Sequence, residues 1–249
     1  MKDYRDSLSE QLKNSRIGAC RIYYSWLYSQ FSSRMRLTGR FLEIGAGAGI
    51  SRVFLSEHNV IRTDYLPWEN SEVLGGIDAQ DLPFQNCEFD GVIGMDMIHH
   101  VTDPAKLLEE AERVTKPGGS MIFIEPYVSL VSYPIYKFFH PERVTLPFGF
   151  DSKKHWVSQV ASDGDQSVAQ RLFCTRSGRK YITGRFGEQL KVEVDFLSPT
   201  AFYLTGGLNN PTNMPAKIIE LFIKLDERVP RALRRLTASR MLVRIEKLI

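Results

Sequence analysis

Cysteine is scarce in this sequence. Its 249 residues include three cysteines, Cys20, Cys87 and Cys174. Their number is odd, and none of them stands in a CxxC pair or has the spacing of metal ligands, which excludes a disulfide framework and a structural zinc site as organising features. The cysteine content is typical of a reducing compartment, so we expect a cytoplasmic location.

Long hydrophobic runs are also missing. The N-terminal residues are polar, and the most apolar later stretch, residues 121–139, is interrupted by Glu125, Pro126 and Pro134. We therefore expect no export signal and no membrane span. Repeats, low-complexity tracts and linkers rich in Pro, Gly or Ser are absent too, so the sequence predicts one domain over residues 1–249.

Positive charge is in excess only near the C-terminal end of the sequence. The net charge is +3, and residues 215–249 hold nine Lys or Arg against four Asp or Glu. Basic residues follow the apolar Ile218, Ile219, Phe222 and Leu225, which leaves two interpretations open: a helix packed on the core with solvated charges, or peripheral contact with an anionic membrane. The excess is small and lacks interleaved aromatic residues, so we expect no nucleic-acid partner.

Apolar periodicity predicts strands that alternate with helices. Strands are predicted at 41–44, 60–63, a short segment ending near Asp78, 89–95, 121–124, 191–197 and 240–248. Helices are predicted at 8–37, with Gly39 as its end, at 50–57, and from an Asp103 cap to a stop at Pro117-Gly118-Gly119. This order is typical of an α/β fold with a mostly parallel sheet of seven strands and helices on both faces. Residues 127–189 break the alternation and are predicted to be an inserted cap.

The first predicted strand runs directly into a glycine turn, in the stretch FLEIGAGAG from Phe41 to Gly49. Glycines at this place allow backbone dihedrals that other residues avoid and let a ligand approach the main chain closely. The spacing is GxGxG, whereas a dinucleotide fingerprint requires its third glycine where this sequence has Ile50. The turn therefore predicts a nucleotide pocket and argues against NAD.

Further segments follow the glycine turn in a fixed order: Asp64 at the end of the second strand, DAQDLPF at 78–84, FDGV at 89–92 and KPGG at 116–119. Together with Glu43 they resemble the class I S-adenosylmethionine-dependent methyltransferase family, in its small-molecule, type 11-like branch, over residues 40–126. The resemblance implies a Rossmann-like fold, S-adenosylmethionine as cofactor and methyl transfer to a small-molecule acceptor, with the choice among O, N and C nucleophiles left open.

The resemblance also divides the chain by role. Residues 1–38 would be an N-terminal helical cover, 39–126 the cofactor-binding core, 127–189 the cap over the substrate, and 190–249 the closing strands and C-terminal helices. The implied cofactor-binding residues are Glu43, Gly45, Ala46, Gly47, Gly49, Asp64, Tyr65, Asp78, Ala79, Gln80, Asp96 and Met97. Among them Glu43 would organise the methionine amino end, Asp64 would accept both ribose hydroxyls, and Asp78 would accept the adenine amino group. Asp81 competes with Asp78 for the last role.

Two histidines after the fourth strand are the candidate catalytic bases. His100 is preferred to His99, and a packing role stays open for each. A metal site formed by these two with Asp96 is a less favoured hypothesis, because adjacent histidines rarely both reach one ion, and the sequence predicts no metal. His140, Glu142 and His155 are weaker acid or base candidates.

Aromatic residues outside the predicted sheet could wall an acceptor pocket, although most are expected to be core. They are Tyr23, Tyr24, Trp26, Tyr127, Tyr133, Tyr136, Phe138, Phe139, His140, Phe148 and Trp156.

Two other functions fit parts of the sequence. A nicotinamide-dependent oxidoreductase would need a glycine at Ile50 and a hydride-transfer constellation after the fourth strand, and neither is present. A non-catalytic scaffold with the same fold would not need a usable pocket, and the presence of Glu43, Asp64 and Asp78 argues against it.

Overall fold

A seven-stranded sheet lies at the centre of the computed structural model, which describes residues 2–66, 72–140, 142–154 and 164–248. The sheet order is β3-β2-β1-β4-β5-β7-β6, with β1 to β5 parallel and β7 antiparallel to both of its neighbours. The prediction of a mostly parallel seven-stranded sheet is confirmed. The strands are β1 (Arg40–Ile44), β2 (Asn59–Asp64), β3 (Leu74–Gly75), β4 (Phe89–Met95), β5 (Thr115–Pro126), β6 (Leu190–Leu197) and β7 (Arg240–Lys247).

Helices cover both faces of the sheet. They are α1 (Lys2–Asn14), α2 (Gly18–Ser32), α3 (Ser51–Phe54), α4 (Pro104–Val114), α5 (Ser132–Phe139), α6 (Val168–Cys174), α7 (Arg176–Phe186), α8 (Ala201–Thr205), α9 (Ala216–Arg228) and α10 (Arg231–Thr237), with a short 3-10 helix at Ile98–His100. One core layer packs α4, α6 and α7 against the sheet, and the other packs α1, α2, α8 and α9. Alternate residues of each strand pack into the two core layers, because successive side chains of a strand point to opposite faces.

The boundaries of β4 match the prediction of 89–95 at both ends. The cap of α4 was also predicted correctly: the Asp103 carboxylate accepts hydrogen bonds from the backbone N–H groups of Ala105 and Lys106, and Pro104 occupies the first helical position. Both features are local, since an apolar strand and an Asp-Pro helix start are each specified by adjacent residues.

The predicted single helix over 8–37 is wrong. The chain forms two helices, α1 and α2, separated at residues 15–17, and α2 ends at Ser32 rather than near Gly39. Gly18 has a φ of +52° at the start of α2, a left-handed conformation that interrupts a continuous right-handed helix. The buried stripe of Leu27 and Phe31 is nevertheless present on α2.

Three other predicted boundaries are corrected. The helix expected over 50–57 is one turn, Ser51–Phe54, and the third strand is two residues, Leu74–Gly75, that end before Asp78. The helix α4 ends at Val114, ahead of the Pro117-Gly118-Gly119 signal, because Thr115 already pairs with Phe89 as the first residue of β5.

The segment 127–189 contains core as well as surface. Val168, Leu172 and Phe173 of α6 are fully buried in the same layer as α4. By contrast, residues after β5 and around α5 expose several large apolar side chains. Among the described residues of this segment, the earlier part has the exposure of a cover, and its role as a substrate cap stays a prediction.

The helix α9 packs on α2 through Ile219 and Ile223, while Ile218 and Leu225 are partly exposed. The apolar residues of this segment are therefore divided between the core and the surface. In the described ranges, no helix combines the length and the hydropathy needed to cross a membrane.

Candidate active site

The glycine turn after β1 adopts the backbone that its sequence predicts. Gly45, Gly47 and Gly49 have φ values of +66°, +51° and +67°. A Cβ at Gly45 would lie 2.6 Å from Cβ of Met97, so Met97, the second residue after β4, packs directly on the turn. The Ala46 N–H donates to the Thr63 carbonyl at 2.9 Å, which fixes the turn to β2. The main chain of the turn is thus held from two sides, with no side chain at Gly45.

The Asp64 carboxylate lies against the same turn. Its Oδ2 accepts a hydrogen bond from the Gly47 N–H at 2.7 Å, and its Oδ1 accepts one from the Leu66 N–H at 3.0 Å. Burial raises the pKa of Asp64, and these two N–H donors offset part of that rise. Tyr65, the next residue, is largely exposed. The predicted acid at the end of β2 therefore stands where a ligand on the turn would meet it.

Glu43 is buried beneath the turn. The Ser51 hydroxyl donates a short hydrogen bond to Glu43 Oε2, and Arg62 Nε lies 3.6 Å from the same oxygen and 2.7 Å from Ser51 Oγ. Burial raises the pKa of Glu43 to about 7, and both Ser51 and Arg62 offset part of that effect. The carboxyl group is therefore close to half protonated at neutral pH.

Asp78 and Gln80 form the next edge of the site. Asp78 Oδ1 accepts hydrogen bonds from the Gln80 N–H and from Gln80 Nε2. Gln80 Oε1 in turn accepts from the Thr102 hydroxyl and from the Asp103 N–H. This chain of bonds joins the segment after β3 to the segment before α4. Asp81, the competing candidate, is exposed, whereas Asp78 and Ala79 are half-buried.

Asp96 is engaged with a residue that the sequence analysis did not select. The Arg240 guanidinium at the start of β7 donates a short charge-assisted hydrogen bond to Asp96 Oδ1. Asp96 has a φ of +53°, and such conformations in residues other than glycine concentrate at functional sites. Arg240 also lies over the Phe202 ring, 4.5 Å from its centroid. Asp96 therefore links the end of β4 to β7 and α8.

Glu125 organises the turn that carries the two histidines. This carboxylate of β5 is fully buried, and its Oε1 accepts hydrogen bonds from the Met97 and Ile98 N–H groups at 2.9 Å. Its Oε2 lies 2.8 Å from His99 Nδ1. One carboxylate thus receives three donors from three consecutive positions after β4, which is how a buried charge is accommodated in a protein interior.

The two histidines have opposite protonation states. Burial alone would lower the pKa of His99, but the Glu125 and Glu142 carboxylates raise it to about 10. Burial, followed by the charge on His99, lowers the pKa of His100 to about 4. At neutral pH His99 is therefore an imidazolium held between two carboxylates, and His100 is a neutral imidazole.

Glu142, after α5, faces both rings. Its Oε2 lies 3.3 Å from His99 Nε2, and its Oε1 lies 3.6 Å from His100 Nε2. Burial would raise its pKa, but the hydrogen bond from His99 and the charge on that ring lower it to about 2. The three groups offer ligand atoms within 4.8 Å of one another. The metal hypothesis combined His99 and His100 with Asp96. Its choice of Asp96 is wrong, because Asp96 binds Arg240. Glu142 lies beside the histidines instead.

The predicted aromatic wall divides into buried and exposed members. Tyr23, Tyr24 and Tyr136 are buried near Arg240, and burial raises the pKa of each. The exposed members Phe138, Phe139 and Phe148 stand on the cap surface instead. His155 and Trp156 lie outside the described residues.

Three residues, Glu125, Glu142 and Arg240, were not predicted to be part of the site. Glu125 counted only as an interruption of an apolar stretch, Glu142 only as a weak acid or base candidate, and Arg240 only as a strand residue. A carboxylate inside the apolar run IFIEP is itself a signal, because a buried charge requires a partner. Arg240 offers no comparable local signal.

Comparisons with known proteins indicate the class of fold. Residues 42–123, about a third of the chain, match the family model described as a methyltransferase domain. The chain is 33% identical to demethylmenaquinone methyltransferase of Clavibacter sepedonicus over 115 residues, which cover 39% of this chain and 47% of that protein. It is 29% identical to sarcosine/dimethylglycine N-methyltransferase of Aphanothece halophytica over 104 residues, or 35% of this chain and 38% of that protein. The matches thus span less than half the length of these curated relatives.

The fold is found in solved structures as well. A methyltransferase from Archaeoglobus fulgidus, described as S-adenosylmethionine-dependent, aligns with a TM-score of 0.53 and 16% identity, covering 90% of this chain and 93% of that one. The chain therefore has the class I S-adenosylmethionine-dependent methyltransferase fold. The family model described as a methyltransferase domain is consistent with this fold over residues 42–123.

Replacing Gly45 tests how closely the turn is packed. Gly45→Ala places a Cβ 2.6 Å from Met97 on a left-handed backbone, whereas Gly76→Ala meets the same backbone penalty at a φ of +76° with open space around it. We expect Gly76→Ala to lower the free energy of unfolding by about 1–2 kcal/mol, and Gly45→Ala to lower it further. Urea denaturation of both variants measures the difference. Equal losses would contradict the packing of Met97 on the turn.

Proposed function

We propose that this protein transfers a methyl group from S-adenosylmethionine to a small-molecule acceptor. The observation that carries the proposal is the set of three acids, Glu43, Asp64 and Asp78, that lie near the carboxyl ends of β1, β2 and β3 around one glycine turn. The Ile77 N–H donates to the Asp64 carbonyl at 2.9 Å, which brings the segment of Asp78 beside that of Asp64. The relatives and the family model support the same reaction class.

In this proposal each acid holds a different part of the cofactor. Glu43 faces the methionine ammonium group, Asp64 accepts the ribose hydroxyls, and Asp78 accepts the adenine amino group, with Ala79 and Gln80 beside the ring. The bound cofactor supplies an electrophilic methyl group. The remaining task of the protein is to hold a nucleophile in line with that methyl and to exclude water.

The acceptor class rests on the relatives. One relative is named as a sarcosine/dimethylglycine N-methyltransferase, and the other as a demethylmenaquinone methyltransferase. These names support a small-molecule acceptor and leave the methylated atom open among N, C and O. They also define a practical first panel: sarcosine, dimethylglycine, demethylmenaquinone analogues and simple phenols.

For a hydroxyl acceptor we propose His100 as the general base. Its pKa of about 4 keeps the imidazole neutral over the whole neutral range, and its buried Nδ1 has no hydrogen-bond partner in the part of the chain that is described. His99 is already protonated and cannot accept a second proton. We assign His99 a positioning role, since it fixes the turn on which His100 stands.

Calorimetric titration with S-adenosylmethionine tests the cofactor assignment. We expect Asp64→Asn and Asp78→Asn each to weaken binding by about 1–3 kcal/mol, because each loses a hydrogen bond between the cofactor and a charged acceptor. Asp81→Asn, a change at the adjacent exposed acid, is the matched control and should leave the affinity unchanged. Wild-type protein that does not bind the cofactor, or an equal loss at Asp81, would contradict the assignment.

The raised pKa of Glu43 predicts a pH dependence of cofactor binding. The folded protein without cofactor holds a proton on Glu43 up to about pH 7, whereas the cofactor ammonium favours the ionised carboxylate. The affinity should therefore rise between pH 5.5 and 7, by up to about tenfold per pH unit at the acid end, with release of a proton. Glu43→Gln should bind more weakly and without this dependence, while Asp64→Asn should retain it. If the affinity of the wild-type protein did not change with pH, the assignment of Glu43 to the cofactor ammonium group would be contradicted.

Single histidine variants test the base. With a hydroxyl acceptor from the panel, His100→Ala should lower kcat by about 10²–10⁴-fold and leave the cofactor affinity within a factor of about two. His140→Ala, at a half-buried ring farther along the cap, should change kcat much less. Formation of S-adenosylhomocysteine measures turnover. Unchanged kcat in His100→Ala would assign that ring to packing.

A further inference from the structure

Exposed apolar side chains are concentrated on the cap, directly after the carboxyl end of β5. Four of them are more than 70% exposed: Leu130, Phe138, Phe139 and Phe148. We call these four residues, together with Leu236 of α10, the cap patch. A soluble surface that concentrates large apolar side chains in this way marks an interaction site.

The cap patch is continuous across three parts of the chain. Leu130, Phe148 and Leu236 line one groove of about 330 Å³, together with Tyr133 and Arg235. The residues therefore come from the segment before α5, the loop after Glu142 and α10. Their shared groove shows that the exposed side chains form one surface.

The helix α5 joins Phe138 to this groove. Lys137 Nζ lies 5.5 Å from the Tyr133 ring centroid and 5.8 Å from the Phe138 ring centroid. The Lys137 ammonium group thus lies close to both the Tyr133 ring, which lines the groove, and the Phe138 ring near the end of the helix. Phe139 follows as the most exposed large apolar residue of the patch.

The segments that form the patch are rich in basic residues, although Arg231 of α10 pairs with Asp195 of β6. Residues 127–154 and α10 together contain seven Lys or Arg and two Asp or Glu. One of the two acids, Glu142, already faces His99 and His100. Apolar side chains surrounded by cations match the two layers of an anionic membrane surface, which offers acyl chains below a negatively charged headgroup region.

We propose that the cap patch docks the protein on a bilayer surface that contains anionic lipids. Phe138, Phe139 and Phe148 protrude, and a fluid lipid layer accepts protruding side chains without a matching shape. A protein partner would need complementary hollows for each ring. The proposed contact lies on the cap and α10, and α9 is not needed for it.

The position of the patch has a consequence for the active site. β5 leads from the buried Glu125 directly into the segment of Leu130, so the patch begins on the side of the molecule that holds the carboxyl ends of β4 and β5, which Asp96, His99 and His100 also follow. Docking would turn that side toward the membrane. The proposal does not depend on the proposed methyl transfer, because membrane binding is measured without cofactor or acceptor.

Sedimentation with phospholipid vesicles tests the proposal. The full chain is mixed with vesicles of phosphatidylcholine alone or with about a third phosphatidylglycerol, at low and high salt. We expect binding to the anionic vesicles, weakened by salt because the Lys and Arg contribution is screened. The double variant Phe138→Ser with Phe139→Ser should lower the partition coefficient roughly tenfold or more, since two aromatic rings no longer leave water.

A control residue is available at the opposite, amino end of the parallel strands. Leu37 precedes β1 and is 67% exposed, so Leu37→Ser removes a comparable apolar side chain outside the patch and should leave vesicle binding unchanged. Circular dichroism and thermal melting check that each variant is folded. Equal losses in both variants, or no binding of folded wild-type protein to anionic vesicles, would overturn the proposal. A wild-type dimer that the Phe variant dissociates, without vesicle binding, would also overturn it and assign the patch to self-association.

Discussion

The buried Glu125 carboxylate is the interaction on which the turn that carries the two histidines depends. A carboxylate with no solvent contact is costly unless donors surround it, and three donors come from the short turn after β4: the N–H groups of Met97 and Ile98 and the ring of His99. Since Met97 also packs on Gly45, the same carboxylate indirectly determines how the glycine turn is supported. The glycine turn and the turn that carries the histidines therefore share one buried acid.

The charge on His99 extends this arrangement to the cap. An imidazolium between Glu125 and Glu142 connects β5 to the segment after α5, and the Gln166 side-chain amide also donates a short hydrogen bond to Glu142. Removing one member of such a buried set leaves an uncompensated charge, which is more damaging than the pair is stabilising. His100 remains neutral partly because the charge resides on its neighbour. His99 and His100 thus differ in protonation because different groups surround them.

The sequence predicted those parts of the fold that neighbouring residues specify. The glycine turn, the strand 89–95 and the Asp103 cap of α4 follow from local chemistry and are present in the structure. The break between α1 and α2 was missed because the apolar spacing continues across it, while Gly18 takes a left-handed conformation. The partners of Asp96 and His99 could not be predicted, because Arg240 and Glu142 join the site through tertiary contacts that no periodicity records. The roles of the cofactor-binding residues remain predictions that the titrations address.

The antiparallel β7 lies between β5 and β6, and it carries Arg240 to Asp96 across a separation of 144 positions in sequence. A contact so distant along the chain carries a loop-closure entropy cost, because the long intervening chain is confined when the contact forms. The glycine turn and its neighbouring strands, by contrast, lie within a short stretch of chain. During synthesis the segment from β1 to β4 is therefore made well before β7, the strand that completes the sheet. Until that strand arrives, Asp96 has no guanidinium partner and the edge of β5 is open to pairing with another chain.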